Sequence, residues 1–182
     1  MTLAEQLQAI AEELGFSPQL PALRGLQVCP EATELEVVER GDDGREHRLL
    51  PAAAQAWRRM KAAARDDGIE LQLVSAFRSI DRQAQIFRRK LAAGASIEAV
   101  LRVNAPPGYS EHHGGCAVDL GTPGSRPLQE AFEQTPAFGW LCRHAGRFGF
   151  CLSYPRGHAG GYDYEPWHWC YHGEAERQPP SG

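Results

Sequence analysis

Residues 110–119 read SEHHGGCAVD, the densest group of polar and potentially metal-binding side chains in the chain. A second group occupies residues 162–169, which read YDYEPWHW. Zinc in a catalytic site is held by three protein ligands, usually imidazole nitrogens and carboxylate oxygens, and keeps a further position for water. His112, Asp119 and His168 supply such a set. The two stretches therefore predict one zinc ion per chain.

Glu165 is the candidate for the proton carrier of such a site. A bound zinc ion lowers the pKa of a water ligand toward ~7, and a nearby carboxylate then passes the proton to the leaving amine. On a straight strand, Glu165 and His168 would face opposite sides because side chains alternate. Pro166 lies between them. We therefore expect a bend at Pro166 that brings both side chains into one cavity.

Neighbouring residues offer alternatives to this assignment. His113 is adjacent to His112 and could bind the metal in its place. Thiolates are good zinc ligands, so Cys116 is a minority alternative. Asp163 is expected to be either a solvated loop acid or a residue that orients His168. Either stretch by itself is also compatible with a solvated loop that binds nothing.

The rest of the chain predicts helices and strands mixed without βαβ regularity, which favours α+β with an antiparallel sheet. Helices are predicted over residues 3–14, 51–67, 80–93, 96–103 and 136–147. Thr2 and Glu5 form a capping-box pattern at the start of the first helix, and Ser79 is a candidate cap for the third. Strands are predicted over residues 34–40, 45–50, 69–74, 117–120, 150–154 and 167–171, with an extended connector over 16–33. We predict a single α+β domain with a small antiparallel sheet flanked by helices and an N-terminal helix and hairpin.

The composition excludes several classes of protein. The 182 residues carry 19 basic and 23 acidic side chains, whereas a protein that neutralises the phosphates of nucleic acid is normally basic. No apolar run approaches the roughly 18 residues of a membrane-spanning helix. The amino terminus lacks the regions of a signal peptide, so we expect a cytoplasmic protein. The five cysteines are widely spaced, which favours reduced thiols over a disulfide framework.

Taken together, these motifs resemble those of the VanY-type zinc D-alanyl-D-alanine carboxypeptidases. Residues 110–119 fit the pattern S-x-H-x-x-G-x-A-x-D, and residues 165–168 fit E-x-W-H. Residues 75–79, SAFRS, are similar to S-G-Y-R-S, and Gln83 falls on the glutamine that follows it. The resemblance covers roughly residues 51–173, and several motifs in the right order make it specific.

The resemblance implies a function and a division of the chain. It implies that zinc is bound by the three ligands named above, that Glu165 acts as general base and then acid, and that the substrate is a peptidoglycan stem peptide or precursor cut before its terminal D-alanine. Residues 51–175 would be the zinc carboxypeptidase domain. The family offers no counterpart for residues 1–50, which we expect to be an extension packed on that domain, with a lid as the alternative, and the chain itself predicts a frayed tail over residues 176–182. The resemblance does not distinguish a D-Ala-D-Ala bond from an L,D bond.

The resemblance also implies which residues meet the substrate. Arg78 would bind either the substrate carboxylate or the oxyanion, because a guanidinium stays charged and pairs with carboxylates through two parallel bonds. Gln83, Ser110 and Tyr154 would line the same pocket and hydrogen-bond the peptide. Two further hypotheses remain open, a peptidoglycan endopeptidase of the phage-lysin kind and a zinc-stabilised peptide-binding module without turnover. No nucleic acid or membrane partner is expected.

Overall fold

The structure, a computed structural model, describes residues 2–41, 43–158 and 160–173. Its α-helices are α1 (Leu3–Leu14), α2 (Leu20–Leu23), α3 (Pro51–Asp66), α4 (Ile80–Ala92), α5 (Ile97–Arg102) and α6 (Pro136–His144). Its strands are β1 (Glu36–Arg40), β2 (Glu46–Leu49), β3 (Gln72–Ser75), β4 (Ala117–Gly121), β5 (Phe150–Leu152) and β6 (His168–Tyr171). Short 3-10 helices cover Glu111–Gly114, Glu130–Gln134 and Ala145–Phe148. The expected frayed tail, residues 176–182, lies outside the described residues.

Two antiparallel sheets confirm the predicted α+β class. Strands β3, β4, β6 and β5 form a four-stranded sheet in that order, and β1 and β2 form a separate hairpin. The two central strands of the larger sheet, β4 and β6, pair so that Asp119 lies opposite His168. No helix among the described residues is long and apolar enough to span a bilayer.

The apolar core covers one face of the larger sheet. Trp57 of α3 is buried in this core together with Val118 of β4 and Trp169 of β6. Burial of a large apolar side chain contributes roughly 1.5–3 kcal/mol, so this face accounts for much of the stability. Because side chains alternate along a strand, the adjacent residues Asp119 and His168 project from the opposite face. The core therefore leaves that face of the sheet to the polar residues.

The amino-terminal helix forms as its sequence predicts. Thr2 and Glu5 make a reciprocal capping box, in which the Thr2 side chain accepts from the Glu5 backbone N–H and Glu5 accepts from the Thr2 N–H. After the helix, Phe16 packs against Phe87 of α4, with ring centroids 6.4 Å apart, and Leu14 is buried in the same cluster. The helix is thus attached to the domain through α4.

The amino-terminal segment is also hydrogen-bonded to the loop and 3-10 turn that come before β4. The backbone N–H of Cys29 donates to Gly108 O, and that of Ala32 donates to His113 O, both at 2.8 Å. Gly108 has φ +90°, and the side chain of Leu7 fills the space that a Cβ there would need. Only glycine fits this position, because both the backbone conformation and the close approach of α1 exclude a side chain.

Several boundaries differ from the predicted ones. The strand predicted over 69–74 is β3, which begins later because Ile69 still donates its N–H to Ala64 O at the end of α3. The helix predicted over 136–147 is α6 followed by a 3-10 turn. The connector predicted over 16–33 contains the single turn α2, which has Pro21 in its first turn.

Candidate metal centre and active-site cavity

Three side chains predicted as metal ligands meet on the polar face of the sheet. Asp119 and His168 are cross-strand neighbours on β4 and β6, and the 3-10 turn before β4 brings His112 beside them. His112 Nε2 lies 3.2 Å from Asp119 Oδ2, and His168 Nδ1 lies 3.1 Å from Asp119 Oδ1. All three residues are buried, and one ligand atom from each lies within 4.8 Å of the other two.

The outer nitrogen of each imidazole has a fixed acceptor. His112 Nδ1 donates to the Ala76 carbonyl oxygen at 2.7 Å, and His168 Nε2 donates to Glu111 Oε2 at 2.9 Å. When either ring is neutral with its proton on that nitrogen, the other nitrogen, which faces Asp119, is available as a metal ligand. Two imidazoles and one carboxylate prepared in this way fit the ligand set of a catalytic zinc ion.

The charges of the three residues depend on one another. Burial alone would raise the pKa of Asp119, but the charges and hydrogen bonds of the two histidines outweigh it and hold that pKa well below its usual range. Burial lowers the pKa of His112 to about 4. Burial by itself would also lower the pKa of His168, but hydrogen bonds to Asp119 and Glu111 outweigh burial and raise this pKa to about 10. The ionised carboxylate therefore presents a negative charge to any bound cation.

Glu165 lies beside this group, as predicted. The chain turns at Pro166, and the backbone N–H of His168 donates to Glu165 O at 3.2 Å across the turn. This bend places Glu165 Oε2 3.8 Å from His168 Nδ1. Burial raises the pKa of Glu165 to about 7, the range suited to a group that accepts and returns a proton near neutral pH.

The cavity in front of these residues has a volume of about 420 Å³. The residues expected to meet the substrate all line it: Arg78, Gln83, Ser110 and Tyr154. The ring of Tyr154 also packs on His168, with centroids 4.7 Å apart. Lys90 lines the same cavity, two helical turns beyond Gln83 on the same face of α4. The sequence analysis did not single out Lys90, although its seven-residue spacing from Gln83 was a usable signal.

Arg78 is held in place at the rear of the cavity. Its Nη2 lies 3.6 Å from Asp119 Oδ2, and its Nη1 donates to Gln83 Oε1 at 2.8 Å. The Gln83 amide in turn donates to the Ala105 carbonyl oxygen at 2.7 Å. Both ends of the buried Gln83 amide thus bind protein groups, and one of these bonds holds Arg78 in the cavity. The hydrogen bond that we expected between Gln83 and the peptide stays a prediction.

The structure separates the alternative ligands from the metal centre. His113 is fully buried on the other side of the turn, where its Nδ1 donates to Arg78 O at 2.6 Å and its Nε2 accepts from Gly108 N–H at 3.1 Å. Both of its nitrogens are thus occupied. Cys116 does not belong to the group, because its Sγ lies 3.2 Å from the thiol of Cys170.

Of the two interpretations offered for Asp163, the structure disfavours the one in which it orients His168. Asp163 forms an ion pair with Arg102 at 3.0 Å and does not bond His168. Glu111 performs that function, and its Oε2 also accepts from Ser153 Oγ at 2.7 Å. Sequence analysis missed Glu111, although its place immediately before a predicted ligand was a signal.

The sequence profile of the VanY family, described as D-alanyl-D-alanine carboxypeptidase, matches residues 46–174. The chain belongs to the VanY family. It is 38% identical over 125 residues to YodJ of Bacillus subtilis (strain 168), and 34% identical over 122 residues to a D-alanyl-D-alanine carboxypeptidase of Enterococcus faecalis (strain ATCC 700802 / V583). The chain spans 45% and 43% of the lengths of these two VanY relatives, respectively, so it corresponds to about half of each.

Solved VanY-type structures share the fold. The LdcB LD-carboxypeptidase, whose structure addresses peptidoglycan recognition, matches with a TM-score of 0.70 at 33% identity, over 79% of this chain and 70% of that chain. VanYB in complex with D-alanine-D-alanine matches with a TM-score of 0.63 at 27% identity, over 81% of this chain and 82% of that chain. A VanY variant in complex with Zn(II) matches with a TM-score of 0.59 at 27% identity, over 81% and 87% of the two chains.

Proposed function

We propose that this VanY-family chain is a zinc-dependent carboxypeptidase that hydrolyses the terminal D-alanine from peptidoglycan stem peptides or their precursors. One observation carries the proposal: the Glu165 carboxyl lies 3.8 Å from His168 Nδ1, in a cavity where three metal-ligand atoms converge. A zinc ion that only stabilises a fold needs no such acid, which disfavours the non-catalytic binding module. The zinc and D-alanine-D-alanine complexes of VanY proteins support the same metal and substrate class.

The residues that would hold the zinc ion are His112 through Nε2, His168 through Nδ1 and Asp119 through its carboxylate. Zinc, when bound, supplies a water of lowered pKa and polarises the scissile carbonyl. Glu111 and the Ala76 carbonyl contribute by keeping the two imidazole rings in the required orientation.

Glu165 moves the proton in this proposal. Its carboxylate takes a proton from the attacking water and delivers it to the nitrogen of the departing D-alanine. A pKa raised to about 7 by burial lets the same group act first as base and then as acid. Arg78, held by Gln83 and close to Asp119, directs its guanidinium toward the negative charge that develops on the carbonyl oxygen.

The cavity also supplies positive charge for a peptide carboxylate. Lys90 lines the cavity and is within electrostatic range of Glu165, the group that serves the leaving amine. In a terminal D-alanine, the carboxylate is separated from that amine nitrogen by a single carbon. We assign Lys90 to the terminal carboxylate. Arg78 then takes the second of its two alternative roles and binds the oxyanion. Tyr162 also lines this cavity, and its hydroxyl is buried without a hydrogen-bond partner in the described part of the chain.

The test is mass spectrometry of products from tetrapeptide and pentapeptide stems incubated with zinc-loaded protein. Loss of one D-alanine from the pentapeptide indicates D,D cleavage, and loss from the tetrapeptide indicates L,D cleavage. The same peptides with an amidated carboxyl terminus provide the control. Equal cleavage of free and amidated peptides would show an endopeptidase and overturn the assignment of a carboxylate-binding site. The cytoplasmic location stays a prediction, which cell fractionation would test.

A further inference from the structure

Potential ligands occupy alternate positions along the end of β6. His168, Cys170 and His172 read H-x-C-x-H, and residues two apart on a strand project from the same face, about 7 Å from one another. His172 directly follows the strand, and its backbone N–H still donates to Gly149 O at 2.9 Å. His168 belongs to the metal centre described above, whereas Cys170 and His172 lie beyond it.

A second group of donors gathers around these two residues. One ligand atom from each of Glu111, Cys170 and His172 lies within 4.8 Å of the other two. Cys170 is buried, Glu111 is half-buried and His172 is exposed, so an ion can enter from the solvent side. A second thiol is adjacent, because Cys116 Sγ lies 3.2 Å from Cys170 Sγ.

We propose that Glu111, Cys170 and His172 form a second cation site, which takes a thiophilic divalent ion of the zinc class. A thiolate, an imidazole and a carboxylate are ligands that zinc and its heavier congener cadmium accept together. Calcium and magnesium select oxygen ligands and are not expected to bind. Cys170 loses its thiol proton to solvent as the sulfur–metal bond forms, so binding releases one proton.

The two sites share Glu111. Its Oε2 accepts from His168 Nε2 at 2.9 Å and from Ser153 Oγ at 2.7 Å. An ionised carboxylate has two oxygens with about four lone-pair positions, so these two bonds leave capacity for a cation. The second site can therefore fill without removing the acceptor that orients His168.

The test counts bound metal on the whole protein without any peptide. Zinc and, separately, cadmium are titrated in a buffer containing a phosphine reductant, which keeps the thiols reduced. Equilibrium dialysis with elemental analysis gives the stoichiometry, and the ultraviolet thiolate–cadmium band reports the sulfur ligand. We expect two ions per chain in the wild type. His172→Ala, a change at an exposed position, should weaken binding of the second ion at least about tenfold.

Three further variants make the outcome decisive. Cys170→Ser should lose the cadmium band, whereas the matched control Cys142→Ser, an exposed cysteine on α6, should keep both ions. His112→Ala should lose the first ion and retain the second, which separates this proposal from the carboxypeptidase proposal. A wild type that binds one ion, or a second ion that His172→Ala and Cys170→Ser bind unchanged, would overturn the second site.

Discussion

Replacing Glu165 with glutamine tests the proposed chemistry most directly. Glu165→Gln preserves the size of the side chain and removes its ability to accept a proton. The carboxyl lies 3.8 Å from His168 Nδ1, and burial brings its pKa to about 7, close to the ideal for a general base at neutral pH. General acid–base catalysis contributes about 10²–10⁴-fold, and a group that serves twice at a matched pKa belongs in the upper part of that range.

We therefore expect Glu165→Gln to lower kcat by about 10³–10⁴-fold, or ~4–5.5 kcal/mol at 1.36 kcal/mol per factor of ten. KM should stay close to the wild-type value, because Arg78 and Lys90 are unchanged. The assay measures D-alanine release from stem peptides, together with the zinc content of each preparation. The metal ligands are intact in this variant, so the zinc content should be unchanged.

The matched control is Glu13→Gln, which makes the same change at an exposed acid of α1. Glu13 pairs with Arg88 at the surface, and exposed pairs contribute about 0–1 kcal/mol, so kcat should match the wild type and stability should stay within about 1 kcal/mol of it. The reasoning fails if Glu165→Gln keeps its zinc and a kcat within about tenfold of the wild type, which is less than general acid–base catalysis supplies.

Other predictions concern the metal, the substrate and pH. His168→Ala should lose the zinc of the metal centre, and elemental analysis that still finds it would reject the ligand assignment. Glu111→Gln should lower the affinity of the metal centre for zinc by about 10–100-fold, because the anionic acceptor of His168 Nε2 is removed. Competition with a chromophoric chelator measures this affinity. Lys90→Met should raise KM about tenfold or more for a peptide with a free carboxyl terminus and leave KM for the amidated peptide unchanged. The control is Lys61→Met, which replaces a lysine that is paired with Glu39. Equal effects on both peptides would contradict the assignment of Lys90. Because Glu165 must be ionised to act as base, kcat/KM should fall as the pH decreases through the pKa of Glu165. A bound cation favours the carboxylate form, so this fall should be centred at or below pH about 7. A value of kcat/KM that stays constant down to pH ~4 would exclude Glu165 as the base.

The sequence alone was sufficient for the local features of the fold. Thr2 and Glu5 predicted the capping box of α1, and the cap of α4 followed from Ser79, whose side chain accepts from the Arg82 backbone N–H. Pro166 predicted the bend between Glu165 and His168. These features depend on residues a few positions apart, so propensity and stereochemistry are enough to predict them.

Contacts between distant segments were not predictable in the same way. The spacing of the motifs identified the residues with suitable chemistry, but the register that sets Asp119 opposite His168 joins residues 49 positions apart and follows from the packing of β4 against β6. The function of Glu111 depends on the same packing, because Glu111 meets His168 across 57 positions of sequence. A chemically similar acid, Asp163, was equally eligible from the sequence.

The sequence by itself therefore determined which side chains can bind a cation, carry a proton or meet a carboxylate, because those properties belong to the residue type. Only the tertiary structure decided which of them meet, and in what role. Gln83 binds Arg78 and the Ala105 carbonyl, and Cys170 and His172 gather near Glu111. The physical reason is that hydrogen bonding and metal ligation act over a few ångströms, a distance set by how strands and helices pack and not by separation along the chain.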